Sequence, residues 1–231
     1  MNFSIVTDVF QLFFPVTCAV CGDSLRYSEK ILCTSCLLDI PRIHIHNKEH
    51  NPLEELLWGQ IPYTRATSFF NYTKKNQYAI LLHNLKYKRQ QNMGIFLGET
   101  FAAELLKSGF LDGIDAIVPV PLHNKRERNR GYNQSQIIAQ GIANISKIEV
   151  LDSAVIRTVN TQTQTKKSKE ERKQNVANIF EVANLDQLQG KHILILDDVI
   201  TTGATCISCA ETILEQGFVK EISIASIGIV R

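Results

Sequence analysis

Two adjacent carboxylates, Asp197 and Asp198, close the apolar run Ile193-Leu194-Ile195-Leu196, and Val199-Ile200-Thr201-Thr202-Gly203-Ala204-Thr205 follows them. The run has strand length, and its sequel reads as a hydroxyl-rich turn that opens a helix. In open α/β sheets ligands collect beyond the carboxyl ends of strands. The N–H groups of a turn entering a helix then form a concave donor set for an anion. Thr201, Thr202 and Thr205 add hydroxyl donors, and Gly203 lets the main chain come close or adopt positive φ. Ionised carboxylates only accept hydrogen bonds, so Asp197 and Asp198 suit a sugar diol and repel a phosphate placed on them. The pattern outlines a sugar-phosphate site; the bland alternative is a buried strand ending in a solvated acidic turn.

A second chemistry sits near the start. Cys18-x2-Cys21 and Cys33-x2-Cys36 are spaced as two knuckles that close a tetrahedral zinc site. Gly22 fits the tight turn after the first pair. Four thiolates leave no open position, so such a Zn²⁺ is structural, and His44, His46 and His50 are not needed to complete it. A pair of disulfides is the competing reading, disfavoured because no secretory signal precedes the cysteines. Cys206 and Cys209 fall on the helix expected after Gly203, among Ile207, Ala210, Ile213 and Leu214, and read as core packing rather than a redox pair.

Cations gather in two segments. After Val118-Pro119-Val120-Pro121-Leu122-His123-Asn124 come Lys125, Arg126, Arg128 and Arg130, a proline-stiffened turn suited to a multiply charged anion. The stretch from Arg157 to Phe180 is long, polar and basic, which marks a functional loop or a disordered one.

The elements that must position these groups alternate. Strands are expected at 67–72, 114–118, 154–157, 180–183, 192–196 and 221–227, with helices at 76–88, 92–107, 132–145 and 204–216. That order implies a mostly parallel sheet with helices on its faces. The chain has 231 residues, 44% of them hydrophobic, enough for one substantial core and a small appendage. Prolines 41, 52 and 62 break the periodicity between a head, residues 1–60, and an α/β domain, residues 65–231. A net charge of +2 gives no global argument for a nucleic-acid or membrane partner. The apolar start, residues 1–18, reads as an amphipathic helix docking on the protein itself: it carries Asp8 and lacks a basic lead-in. No apolar run is long enough to span a bilayer, and a cytoplasmic protein is expected.

The run ending at Thr205 resembles the PRPP loop of type I phosphoribosyltransferases over thirteen positions. The wider order resembles the ComF family of competence-associated proteins across nearly the whole chain. It comprises the four-cysteine knuckle, Leu85-Lys86-Tyr87, Val-Pro-Val-Pro-Leu with an Arg-Gly-Tyr-Asn-Gln sequel, Arg157-Thr158-x-x-Thr161-x-x-Gln164 and the acid pair. The resemblance implies a phosphoribosyltransferase-like fold with a zinc-bearing head. It implies PRPP bound with Mg²⁺ by Asp197, Asp198, Thr201, Thr202, Gly203, Ala204 and Thr205, and pyrophosphate contacted by His123, Asn124, Lys125 and Arg126. Asp197, Asp198 and Arg126 would carry any catalysis, and a loop bearing Thr161, Gln164, Lys166 and Arg172 would close over the site. It also implies a link to natural transformation, with single-stranded DNA and other transformation proteins as partners. If the transferase reaction were lost, the basic segments with Tyr87, Tyr132 and Phe180 as stacking faces would track a single strand. The acceptor and the oligomeric state are not legible.

Overall fold

The computed structural model describes residues 15–87, 90–158 and 179–230, with the side chains of residues 124–126 set aside. In chain order the elements are α1 (Thr34–Leu38), α2 (Pro52–Leu57), β1 (Ala66–Asn71), α3 (Ala79–Tyr87), α4 (Gln91–Lys107), β2 (Ala116–Pro119), α5 (Asn124–Arg130) and α6 (Gln134–Ser146). There follow β3 (Glu149–Val150), β4 (Val155–Arg157), β5 (Phe180–Val182), β6 (His192–Ile200), α7 (Ala204–Gln216) and β7 (Glu221–Ile229). Five strands form a parallel sheet in the order β1-β7-β6-β2-β3. The expected fold class is the observed one: a parallel sheet with flanking helices, carrying a small cysteine-bearing head.

The central strand β6 is apolar on both faces from Ile193 to Leu196, as a sheet covered on both sides requires. Along β6, Leu194 and Leu196 join the layer that holds Leu81, Leu85, Leu97, Phe101 and Ile138. Ile193 and Ile195 join the opposite layer with Leu53, Leu57, Cys206, Cys209 and Ile213. Both cysteines of α7 are buried, which is the packing role their spacing suggests. Met93, Leu97, Phe101 and Leu105 recur every fourth residue on α4 and are all buried, one continuous stripe on the core side. Burying each such side chain contributes about 1.5–3 kcal/mol.

Several boundaries differ from expectation. β6 does not stop at the acids; it pairs with β7 through Asp197 and on to Ile200, so the acids lie in the strand's last turn of pairing rather than beyond it. The cationic segment is not a bare turn but a short helix, α5, of seven polar residues. β4 and β5 leave the main sheet and pair antiparallel with each other, bracketing the residues that lie outside the description. α2 was not foreseen. Asn51 accepts from the N–H groups of Leu53 and Glu54 at 3.1 and 3.2 Å, and Pro52 stands at its first turn, a strong N-terminal signal.

Among the described residues no helix is long and apolar enough to cross a membrane.

Candidate functional site

At the carboxyl end of β6, successive side chains turn to opposite sides. Asp197 Oδ1 accepts from Ser135 Oγ at 3.1 Å and from the N–H of Asp198 at 2.8 Å. The Cys206 thiol donates to its other oxygen at 3.7 Å. Asp198 Oδ2 instead meets Lys86 Nζ, 2.8 Å away at the end of α3. The pair of acids is therefore one carboxylate anchored inward by α6 and α7, and one paired, among the described residues, with the Lys86 ammonium.

Burial, and then the charge of Asp198, push the Asp197 carboxyl up from its usual 3.8 to about 6. Burial also drives the Cys206 thiol well up, reinforced by Asp197 beside it. Cys206 thus stays protonated and acts as a donor, not as half of a redox pair.

Beyond Ile200 the chain turns outward. Thr201, Thr202, Ala204 and Thr205 are exposed and Gly203 is buried. Gly203 sits at φ 75, the N-cap of α7, and no side chain caps that helix end. Its leading N–H groups are left for solvent or an anion. A Cβ on Gly203 would fall 2.2 Å from Leu56 Cδ2, a side-chain tip that can turn aside, so it is the left-handed dihedral that favours glycine here.

The parallel neighbour β2 ends beside this turn, in register from Val118 with Ile195 and Pro119 with Leu196. It leads through His123 into α5. His123 is partly buried; the side chains of Asn124, Lys125 and Arg126 lie outside the described residues, as do Thr161, Gln164, Lys166 and Arg172. The sequel is structural. Asn133 donates to Val120 O at 3.0 Å and caps α6 through the N–H of Ser135. The Tyr132 hydroxyl donates to Leu85 O, locking α6 to α3. Tyr132 and Phe180 are buried, so neither is a stacking face. Tyr87 is 65% exposed, with the Arg130 guanidinium 5.8 Å from its ring centre.

Two residues that hold the acids, Lys86 and Ser135, were present in the motifs but carried no assigned role. Their partners lie 112 and 62 positions away, beyond any local pattern; for Lys86 the Leu85-Lys86-Tyr87 stretch near the end of the helix expected at 76–88 is the one local sign.

The four cysteines of the head converge, their sulfurs within 4.8 Å of one another. Cys21 and Cys33 are 3.7 Å apart, close to the edge of about 3.8 Å that a tetrahedral ion with 2.3 Å thiolate bonds demands, and far too long for a disulfide. The N–H of Cys33 points at Cys18 Sγ and that of Cys36 at Cys33 Sγ, both at 3.4 Å. Burial raises the Cys18 thiol, but the N–H groups of Cys21, Cys33 and Val20 outweigh it and bring it to about 6. The donor set fits a metal such as zinc. Leu32, Cys36 and Ile40 pack into the same core layer as α3 and α4, and Tyr78 donates to Cys36 O at 3.0 Å. Stripping the metal with a chelator is accordingly expected to lower the melting temperature by roughly 10 °C while far-UV circular dichroism retains the strand signal. An unchanged melt would remove the metal from this site.

No family profile matches the chain. Over 203 residues, 87% of its length, it is 32% identical to DNA utilization protein YhgH of Escherichia coli strain K12 and covers 85% of that protein. It is 35% identical to Competence protein F of Haemophilus influenzae over 111 residues, 48% of each chain. It is 34% identical to Competence protein ComFC of Bacillus subtilis over 115 residues, 50% of this chain and 44% of the other. Among solved structures, adenine phosphoribosyltransferase from Saccharomyces cerevisiae is 17% identical over 62% of this chain and 71% of its own, with a TM-score of 0.40. Nothing further rests on so distant a likeness.

Proposed function

The chain belongs to the ComF family of competence-associated proteins, and from that premise we propose that it binds PRPP or a related sugar phosphate at the carboxyl end of β6, in the service of DNA utilization. The observation that carries this reading is the junction of β6 and α7: the acid pair, an exposed hydroxyl turn, a left-handed glycine and a helix start without a side-chain cap within nine residues, with Lys86 brought against Asp198 from α3. The turn and the first N–H groups of α7 take the 5′-phosphate. Asp198 exchanges Lys86 for the ribose hydroxyls, while Asp197, fixed by Ser135, orders the strand end. The loop after β2 faces the pyrophosphate.

Mg²⁺, bound with the ligand, would screen pyrophosphate and polarise it as a leaving group, and Asp197 and Asp198 are the acids that would serve it and the sugar hydroxyls. Whether the chain transfers the ribose or only grips it turns on an acceptor that no residue identifies. The single-strand reading keeps only Tyr87 of its three stacking faces, so the sugar-phosphate reading is preferred.

Calorimetric titration with PRPP and Mg²⁺ tests it, with ribose 5-phosphate and pyrophosphate as partial ligands. PRPP is expected to bind more tightly than either fragment. Absence of heat with all three would end the proposal.

A further inference from the structure

Away from the acid pair, three metal-ligating groups converge. His44 Nδ1 and His46 Nε2 lie 3.6 and 3.3 Å from Glu104 Oε2, and the three donor atoms are within 4.8 Å of one another. The histidines stand on the segment that leaves the cysteine head, and Glu104 stands in the last turn of α4. A tetrahedral ion with bonds of 2.0–2.1 Å needs donors about 3.4 Å apart. Two of the three edges are already near that length, and the exposed His44 ring is free to close the third.

Each ligand is braced from behind. His46, its side chain 6% exposed, has Nδ1 2.7 Å from the hydroxyl of buried Thr67 and its ring tilted against Phe101. In one tautomer Nε2–H donates to Oε2; in the other Nδ1–H donates to the Thr67 hydroxyl and Nε2 presents a lone pair beside Oε2, the arrangement in which both would ligate a cation. The other oxygen of Glu104 lies 2.6 Å from Arg42 Nε, an ion pair by distance whose N–H is not aimed at the carboxylate. The Arg42 guanidinium rests over Phe69 and donates to Leu38 O. Oε2 is therefore the oxygen left facing the histidines. A hydrogen-bonded triad explains His46 but not His44, whose nitrogen is too far from the carboxylate for a hydrogen bond. Its backbone is nonetheless held at φ 44, a region that costs energy outside glycine.

We propose that His44, His46 and Glu104 bind a divalent transition ion, zinc by the nitrogen-rich ligand set, at a site separate from the four cysteines. The ion pins the segment after the head to α4, with solvent completing its shell on the exposed side. Repulsion from Arg42 keeps the affinity micromolar rather than as tight as a four-thiolate site.

The full chain, its cysteines loaded with Zn²⁺, is titrated with Co²⁺. One further equivalent is expected, with the weak visible bands of nitrogen and oxygen ligation and no thiolate charge-transfer band. His44→Ala and Glu104→Gln should each weaken that equivalent by at least ~10-fold while retaining the cysteine-bound zinc. No cobalt uptake at high micromolar free ion overturns the assignment. So does uptake undiminished in both variants, or uptake seen only as thiolate charge transfer, which would place the cobalt among the cysteines.

Discussion

Asp197→Asn/Asp198→Asn should abolish PRPP binding in calorimetry, a loss of at least ~100-fold, while Asp197→Asn alone should raise the stability of the protein at pH 7.5. The binding loss follows from removing the carboxylate proposed to take the sugar hydroxyls, and the stability gain from the burial of Asp197. The native Asp197 carboxyl is raised to about 6 from its usual 3.8, so between those values the folded chain holds a proton that the unfolded chain has released. Stability therefore falls as pH rises through that window. Above it the ionised acid costs on the order of 2 kcal/mol, by about 1.4 kcal/mol per unit less some screening. Asparagine keeps an acceptor for Ser135 and for the N–H of Asp198 without the charge, and should recover most of that cost at pH 7.5 and little below pH 4. Urea midpoints at the two pH values measure it. A variant less stable than the parent at pH 7.5, or a double variant that binds normally, would contradict the account.

A loss of similar size is expected at a place with no chemistry. α4 and α6 touch backbone to backbone: a Cβ on Gly98 would lie 2.2 Å from Ile138 O, and one on Gly141 would lie 2.3 Å from Ile95 O. Main-chain oxygens cannot swing aside, so a side chain here must prise the helices apart. Gly98→Val and Gly141→Val should each destabilise by about 3 kcal/mol or more, the upper part of the range for overpacking. Because Ser135, which holds Asp197, lies in the first turn of α6, ligand affinity should fall with stability. A Val variant with the parent's urea midpoint would show that the seam is looser than described.

How much of this was legible in the sequence depends on distance along the chain. The acid pair, the hydroxyl turn and Gly203 form one contiguous stretch, and the four cysteines fall in two short knuckles, so local spacing was enough to find them. Parallel order followed from strands alternating with helices. The extent of β6 did not, because two adjacent acids read as an end, whereas main-chain pairing with β7 continues regardless of side-chain charge. α5 was hidden for the opposite reason: seven polar residues have no apolar period to detect. Pro52 reads as a breaker in the sequence, yet after Asn51 it starts a helix. Lys86 with Asp198, Ser135 with Asp197, and Gly98 against Gly141 exist only once the chain is folded, and no pattern in one segment encodes them.

α3 joins the cysteine knuckle to the acid pair. Immediately before it, Tyr78 holds the carbonyl of Cys36, and near its far end Lys86 holds Asp198. Nine helical residues make a rod about 13 Å long, tethered at one tip to the knuckle and at the other to the mouth of the sheet. A shift of the thiolates would therefore bear on the same rod that presents Lys86 to Asp198.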